Sequence, residues 1–286
     1  MQFAIDLPPF GPFSDPNLVA DLAREAEDAG WNGFFLWDHI NYKLEDSAQP
    51  LAIADPWIEL AAIAVRTSSI TLGTMVTPLP RRRPWKLARE TVTLDHLSGG
   101  RLVLGVGLGS DVDGEYSDFG EAMEPRIHGA MLDEALAVLT RLWSGEEVTY
   151  QGQHYQLSAV RFLPTAVQTP RIPIWVAGIW PHKKPFRRAA QFEGVYPQQR
   201  GGALTPEDYR EILAFIQSQR TQRTQHTTAP FEVLTRGRTS GSDHAADAAH
   251  VAAYADAGVT WWLEQFRPQH TLDEVRQRIR QGPPHI

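Results

Sequence analysis

The chain has 286 residues, 27 Lys and Arg against 34 Asp and Glu for a net charge of −7, and no cysteine. With 42% hydrophobic and 21% charged residues, wholesale disorder is excluded; zero cysteine excludes a disulfide scaffold, a thiolate metal site, an iron–sulfur cluster and a cysteine nucleophile. The acidic balance argues against a nucleic-acid partner. No apolar run approaches the roughly 20 residues that span a bilayer, and the N-terminus lacks signal-peptide features, so the expectation is a cytoplasmic globular protein with no membrane partner.

A short apolar run followed by a capped helical stretch recurs along the chain. Phe3-Ala4-Ile5 is the first strand candidate. Asp15-Pro16 reads as an N-cap with a first-turn proline, and Leu18, Val19, Leu22, Ala23 and Ala26 then share one helical face up to Gly30. Gly33 to Leu36 is the second strand, and Asp55-Pro56 opens a helix carrying Leu60, Ala61, Ala64 and Val65. Ile70 to Val76 is the third strand, followed by a helix from Pro84 to about Leu97 and the turn Ser98-Gly99-Gly100. Arg101 to Val106 is the fourth strand; a helix is predicted over Met131–Trp143.

The cycle then pauses. Glu147 to Gln156 has the pattern of a β-hairpin turning at Gly152, an insertion after the fourth helix. Ile174 to Ala177 resumes as a strand, with a helix near Phe186–Phe192. Gly194-Val195-Tyr196 is the next strand, and Thr205 to Asp208 nearly forms a capping box for a helix through Arg220. Phe231 to Thr235, a helix from Asp243 to Ala257, Val259 to Leu263, and a capping box at Thr271–Glu274 complete the series. Eight apolar strands, each followed by a helix, predict an α/β chain: a (β/α)8 barrel forming one domain over residues 1–286. An open doubly wound sheet satisfies the same alternation.

In such a barrel, chemistry sits at the C-terminal ends of the strands. Trp37-Asp38-His39 follows strand two, and Asp38 with His39 is the best-placed pair for proton transfer. The alternative is that Asp38 caps a turn while His39 packs beneath a loop. Gly105 to Ser110 fails as a dinucleotide fingerprint, since Ser110 stands where the third glycine belongs. It can let a planar ligand approach the backbone, or it is a tight turn. Ala177-Gly178 with His182, Lys183, Lys184, Arg187 and Arg188 can hold a phosphate or simply be a solvated helix start, and Arg81-Arg82-Arg83 reads as a solvated loop. No His-Glu-x-x-His, Gly-x-Ser-x-Gly or Walker motif occurs, and the histidines show no metal-ligand spacing.

Several segments in order resemble the luciferase-like monooxygenase superfamily of flavin- and F420-dependent oxidoreductases. They are Ala26 to Gly33 leading into Trp37-Asp38-His39, Asp55-Pro56-Trp57, Ile70 to Pro78 with Arg83-Pro84, and Leu94 to Arg101 with its glycine-rich exit. Ile172 to Gly178, Arg188-Ala189-Ala190 and Gly258 to Trp262 follow. The Leu-Asp-x-Leu-Ser-Gly-Gly-Arg stretch is the specific one.

The resemblance implies an enzyme with reduced FMN or coenzyme F420 at the barrel mouth and no metal. It implies a bulged, cis non-prolyl peptide near Met75-Val76, Asp38 and His39 on the reacting side, and a cofactor held by Thr74, Met75, Val76, Gly107, Leu108, Gly109, Ser110, Ala177, Gly178 and Ile179. Trp37, Trp180 and Glu264 are expected to meet a small organic substrate, with Trp57 and Phe119 as further apolar lining. Two reactions follow from the resemblance: monooxygenation with O2 and reduced FMN, the reduced FMN supplied by a partner flavin reductase, or O2-independent hydride transfer with F420. The Asp38-His39 pair favours the F420 branch, while Ser110-Asp111 departs from it. A non-catalytic flavin-binding relative is a third reading. A homodimer is expected, with the hairpin shaping the substrate entrance or a dimer contact.

Overall fold

The computed structural model describes residues 1–44, 51–221 and 230–286. Its strands are β1 (Gln2–Leu7), β2 (Gly33–Leu36), β3 (Thr71–Pro78), β4 (Leu102–Gly107), β5 (Glu147–Gln151), β6 (Gln156–Arg161), β7 (Ile174–Ile179), β8 (Gly194–Gln198), β9 (Glu232–Gly237) and β10 (Trp261–Gln265). Its α-helices are α1 (Pro16–Asp28), α2 (Pro56–Arg66), α3 (Pro84–Ser98), α4 (Pro125–Leu142), α5 (Lys183–Ala189), α6 (Pro206–Thr221), α7 (His244–Asp256) and α8 (Leu272–Arg280). Eight strands close in the order β1-β10-β9-β8-β7-β4-β3-β2, all parallel. Closure gives every barrel strand two neighbours and removes the open edge that the doubly wound alternative requires.

Strand alternation divides the core in two. Phe3, Ile5 and Leu7 of β1 face the helices, in one cluster with Leu22 of α1 and Ile279 of α8. Ala4 faces inward, with Phe35, Met75, Val103, Trp175, Tyr196, Leu234, Trp261 and Leu263. Three of these rings fill the barrel's width, Phe35, Trp175 and Trp261 having centroids 5.3–5.9 Å apart. The middle of the barrel is therefore a packed plug.

The end of the barrel where strands begin is secured by the specific sequence segment. Gly99 and Gly100 both take positive φ, 68° and 84°, ending α3 in a left-handed turn that side chains with a Cβ rarely adopt. Asp95, fully buried, accepts bonds from the Val167 and Gln168 amides and from Gln168 Nε2. The Arg101 guanidinium donates to the carbonyls of Ala64, Thr67 and Ile70 and to Thr67 Oγ1, binding the end of α2 to the start of β3. Glu27 adds a clamp on the amides of Ser68, Ser69 and Ile70.

The capping signals behave as read. Asp15, Asp55 and Asp243 each accept amide bonds from the first turn of their helix, and Thr271 with Glu274 forms a full capping box. Three predicted boundaries move. α4 starts at Pro125 rather than Met131, because the proline sets its first turn where Gly129 and His128 had hidden the apolar period. α5 begins and ends three residues earlier than the expected Phe186–Phe192, overlapping it from Phe186 to Ala189. The hairpin's second strand continues through Arg161, and its tip docks on α4, where Glu134 accepts the amides of Gln153, His154 and Tyr155. Among the described residues no helix is long and apolar enough to cross a membrane.

Candidate active site at the barrel mouth

Beyond β2 the chain places Trp37, Asp38 and His39 on the rim, as predicted, but in different roles. Asp38 is sealed beneath the loop. It is ion-paired with Arg81 and Arg82, at 3.1 and 2.8 Å, and accepts from Thr77 Oγ1 at 2.9 Å. Held by two guanidiniums and a hydroxyl, the Asp38 carboxylate is committed to the joint between the two strand exits, whereas His39 is the member of the expected pair that keeps an open face. The same contacts correct the reading of Arg81 and Arg82 as solvated. They fasten the β2 and β3 exits together.

His39 keeps an open face, its side chain 26% exposed. Its Nδ1 lies 3.1 Å from Oε2 of buried Glu115, whose other oxygen accepts from the Ile40 amide and is paired with Arg81. Burial works to raise the Glu115 pKa, but the His39 hydrogen bond and charge, the Arg81 charge and the Ile40 amide hold it below the usual carboxylate range. The ring packs edge-on against Phe10 and Tyr42, and Trp37 lies 6.0 Å away. One nitrogen is thus oriented by an acid while the other edge remains available at the rim. Glu115 stands 76 residues beyond His39, in the loop after β4, and nothing in the local sequence marks it.

On the neighbouring strand, the mouth holds a group that the sequence reading passed over. Asp6 sits at an inward position of β1, level with Gln265 of β10 and Phe35 of β2. It is 1% exposed; Oδ1 accepts from the Trp37 indole at 3.0 Å, and Oδ2 has no hydrogen-bond partner. Burial pushes its pKa from 3.8 up to about 7, against the lowering effects of Arg236, Trp37 and Gln265. The signal was present, since an acid occupies the inner register of an otherwise apolar strand. Above it opens a cleft of about 840 Å3, lined by Trp37, Tyr42, Val112, Arg236, Gln265 and Arg267 among others. That volume suits a small organic molecule.

The predicted cofactor residues separate into two sets. The Met75–Val76 peptide is cis, and the β3–β4 register shifts there between Thr74 and Thr77. Val76 and Ala177 are half-buried on top of the inner core, with Met75 beneath them. Gly107 lies alongside, and a Cβ there would come 2.8 Å from Val76 Cγ2. Met75, Val76, Gly107 and Ala177 therefore form a low apolar ledge that fits the face of a planar ring. By alternation Ile179 points inward like Ala177.

The second set faces elsewhere. Thr74 Oγ1 bonds Thr77 Oγ1 at 2.8 Å, behind the ledge. Leu108 O accepts the Tyr116 hydroxyl at 2.6 Å, and Gly109, at φ +76°, would place a Cβ 2.5 Å from that hydroxyl, so this glycine serves the turn. Ser110 is exposed and accepts the Val112 amide. A Cβ on Gly178 would meet Pro185 at 2.5 Å, so its bareness lets α5 pack against β7 and does not open a phosphate cradle. Two of the nearby cations are committed, Arg188 to Asp133 and Lys183 over the Trp180 and Phe215 rings.

Two expected substrate contacts are corrected. Trp180 is 8% exposed and packs edge-on against Phe186. Glu264 points away from the mouth, fully buried, taking bonds from the Thr239 amide, Trp262 Nε1 and Arg278. Trp57 is likewise buried, its indole directed at Asp38, and Phe119 is 58% exposed outside the cleft lining. Among the described residues no group of three or more His, Cys, Asp or Glu can hold a metal.

Comparison with known proteins follows the same lines. The family model described as luciferase-like monooxygenase matches residues 7–283. An uncharacterised protein of Mycobacterium tuberculosis is 32% identical over 202 residues, 66% of this chain and 68% of its own length. The F420-dependent glucose-6-phosphate dehydrogenase of Microbacterium testaceum is 33% identical over 168 residues, 58% of this chain; the match spans 48% of that enzyme. A monooxygenase from Streptomyces bottropensis superposes with a TM-score of 0.76 at 22% identity, covering 98% of this chain and 97% of the other. The F420-dependent tetrahydromethanopterin reductase of Methanopyrus kandleri gives 0.75 at 17%, over 99% and 98%. At such identities the two structures speak to fold alone.

Proposed function

The chain belongs to the luciferase-like monooxygenase family, whose relatives include F420-dependent dehydrogenases and monooxygenases, and from that premise we propose that it catalyses F420-dependent hydride transfer on a small organic substrate. The observation that carries the reading is the His39–Glu115 pair at the rim. When an alcohol carbon gives up a hydride, its oxygen must give up a proton. An imidazole oriented at Nδ1 by a carboxylate is suited to accept that proton at Nε2, and Glu115 would stabilise the resulting imidazolium. Oxygenation with a reduced flavin also moves protons, so the oxygen dependence of turnover separates the two reactions. The dehydrogenase relatives at 33–36% identity support the same choice.

The ledge of Met75, Val76, Gly107 and Ala177 would hold the ring, and F420 bound there would supply the two-electron hydride acceptor. Trp37 and Tyr42 would flank the substrate beside His39 and help to exclude water from it. No flavin reductase is required in this reading.

The test is turnover measured with and without oxygen. Turnover that is unchanged anaerobically and falls about 10²- to 10³-fold in His39→Ala, with cofactor affinity within about threefold, is the expected result. Turnover that needs O2 would return the chain to the monooxygenase reading.

A further inference from the structure

We propose that the mouth cleft takes an anionic group of the substrate on Arg236, and that this anion and a proton on Asp6 are bound together. The inference rests on the oxidoreductase reading for the word substrate; the anion site itself rests on charge accounting at the mouth.

Arg236 is the inward residue two positions beyond Leu234 on β9, and it reaches the cleft. The Tyr196 hydroxyl, which burial keeps neutral, faces the Arg236 guanidinium. Among the described residues no carboxylate comes within 4 Å of it. Other arginines of the mouth and barrel wall are matched: Arg81 and Arg82 by Asp38, Arg188 by Asp133, Arg278 by Glu264.

The neighbouring acid is Asp6, which does not pair with Arg236 and leaves Oδ2 without a donor. A buried carboxylate oxygen without a donor is costly to ionise, and a proton removes that cost. With Asp6 neutral, Arg236 faces the cleft as an uncompensated cation. Arg267, exposed at the rim, adds to the positive field, while Asp113 on the far lip of the cleft, its Oδ1 taken by the Lys43 amide, subtracts from it. Lys43 does not add to it, because its ammonium is paired with Asp118. A phosphate ester or a carboxylate would complete Arg236 through paired hydrogen bonds.

The groups facing Asp6 are Trp37 from the β2 exit, Gln265 of β10, Arg236 of β9 and Tyr196 of β8. Burial pushes Tyr196 upward, so among the groups facing Asp6 this hydroxyl stays neutral, and the Asp6→Asn variant separates the Asp6 proton from any other at the rim. Below pH 7 Asp6 carries its proton and Arg236 is free for an external anion. As pH rises through about 7, the Asp6 carboxylate forms and competes for the same cation. Anion affinity must therefore fall with rising pH, and the anion must favour the proton by the same factor.

Sulfate is the probe, since it does not titrate in this range. Its binding to the full chain is followed by calorimetry between pH 6 and 8.5. In the wild type we expect affinity about fivefold or more weaker at pH 8.5 than at pH 6. Asp6→Asn, close in shape to the neutral acid, is expected to hold the pH 6 affinity within about twofold at both pH values. Arg236→Gln is expected to lose about tenfold or more, with Arg236→Lys between, while both keep the wild-type melting profile and cofactor binding. Wild-type sulfate affinity in Arg236→Gln, or wild-type pH dependence in Asp6→Asn, overturns the proposal. Sulfate and F420 binding simultaneously supports a substrate anion; mutual exclusion assigns the anion to the cofactor and overturns that part. Should F420 fail to bind while Arg236→Gln still abolishes sulfate binding, the anion site stands and the cofactor reading falls.

Discussion

Each end of the barrel carries a buried aspartate near an arginine, and they are finished differently. At the closed end Asp95 has both oxygens satisfied by three donors, and Arg101 spends its guanidinium on carbonyls and a hydroxyl. At the mouth Asp6 has an oxygen without a partner, and no carboxylate within 4 Å matches Arg236 among the described residues. The same residue types thus serve two purposes. Complete pairing makes a joint that holds α2, β3 and β4 in register. Incomplete pairing leaves charge and protonation to be settled by something that binds, as expected where stability is given up for function.

The sharpest way to break this comparison is to disable the closed end. Arg101→Met leaves several buried carbonyls without donors and should cost about 3–5 kcal/mol, or prevent folding, with little dependence on pH between 6 and 8. Urea denaturation measures it, and a loss below about 1 kcal/mol would show that the joint is dispensable.

Asp6→Asn should act in the opposite direction. Because the folded pKa, about 7, lies above the unfolded 3.8, the folded state keeps a proton that the unfolded state has lost, and stability declines as pH rises from about 4 to 7. Asparagine removes that decline, so the variant should gain about 2–4 kcal/mol over the wild type at pH 8 and little at pH 4. Glu59, fully buried with neither oxygen partnered, is pushed up to about 8 by burial and by Asp55 and Asp15. Glu59→Gln should likewise gain stability as pH rises from about 4.5 to 8. Equal gains at acid and alkaline pH in either variant would contradict the assignment.

The smallest effect is expected at Glu27. Burial opposes its ionisation, but the amides of Ser69, Ile70 and Ser68 bring its pKa down to about 2. Its contribution is complete above pH 4.5 and is lost as pH falls from 4.5 toward 2. Glu27→Gln should therefore cost about 1 kcal/mol at pH 7 and nothing near pH 2, read from melting curves.

The fold was legible because periodicity and caps are local. Asp15, Asp55 and Thr271 begin helices by bonds to residues two or three positions away, and β2 lies where its apolar run does. The site was legible only where strand ends dictate it. Trp37, His39, Val76 and Ala177 follow from position. Glu115 meets His39 only after the β4 loop folds back, and Arg81 is buried by an acid 43 residues earlier. Glu264 was misread because strand alternation, not proximity to the rim, decides which side chains face the cleft. Asp6 escaped because the first strand was ended one residue short of it.

The central claim is that the ledge and His39 at the open rim form a site for a deazaflavin. Titrating the purified chain with F420 and with FMN in parallel, each followed by its own fluorescence, tests it directly. The account predicts saturable quenching of F420 and weak or no response from FMN, and tight binding of FMN alone, or of neither, would contradict it.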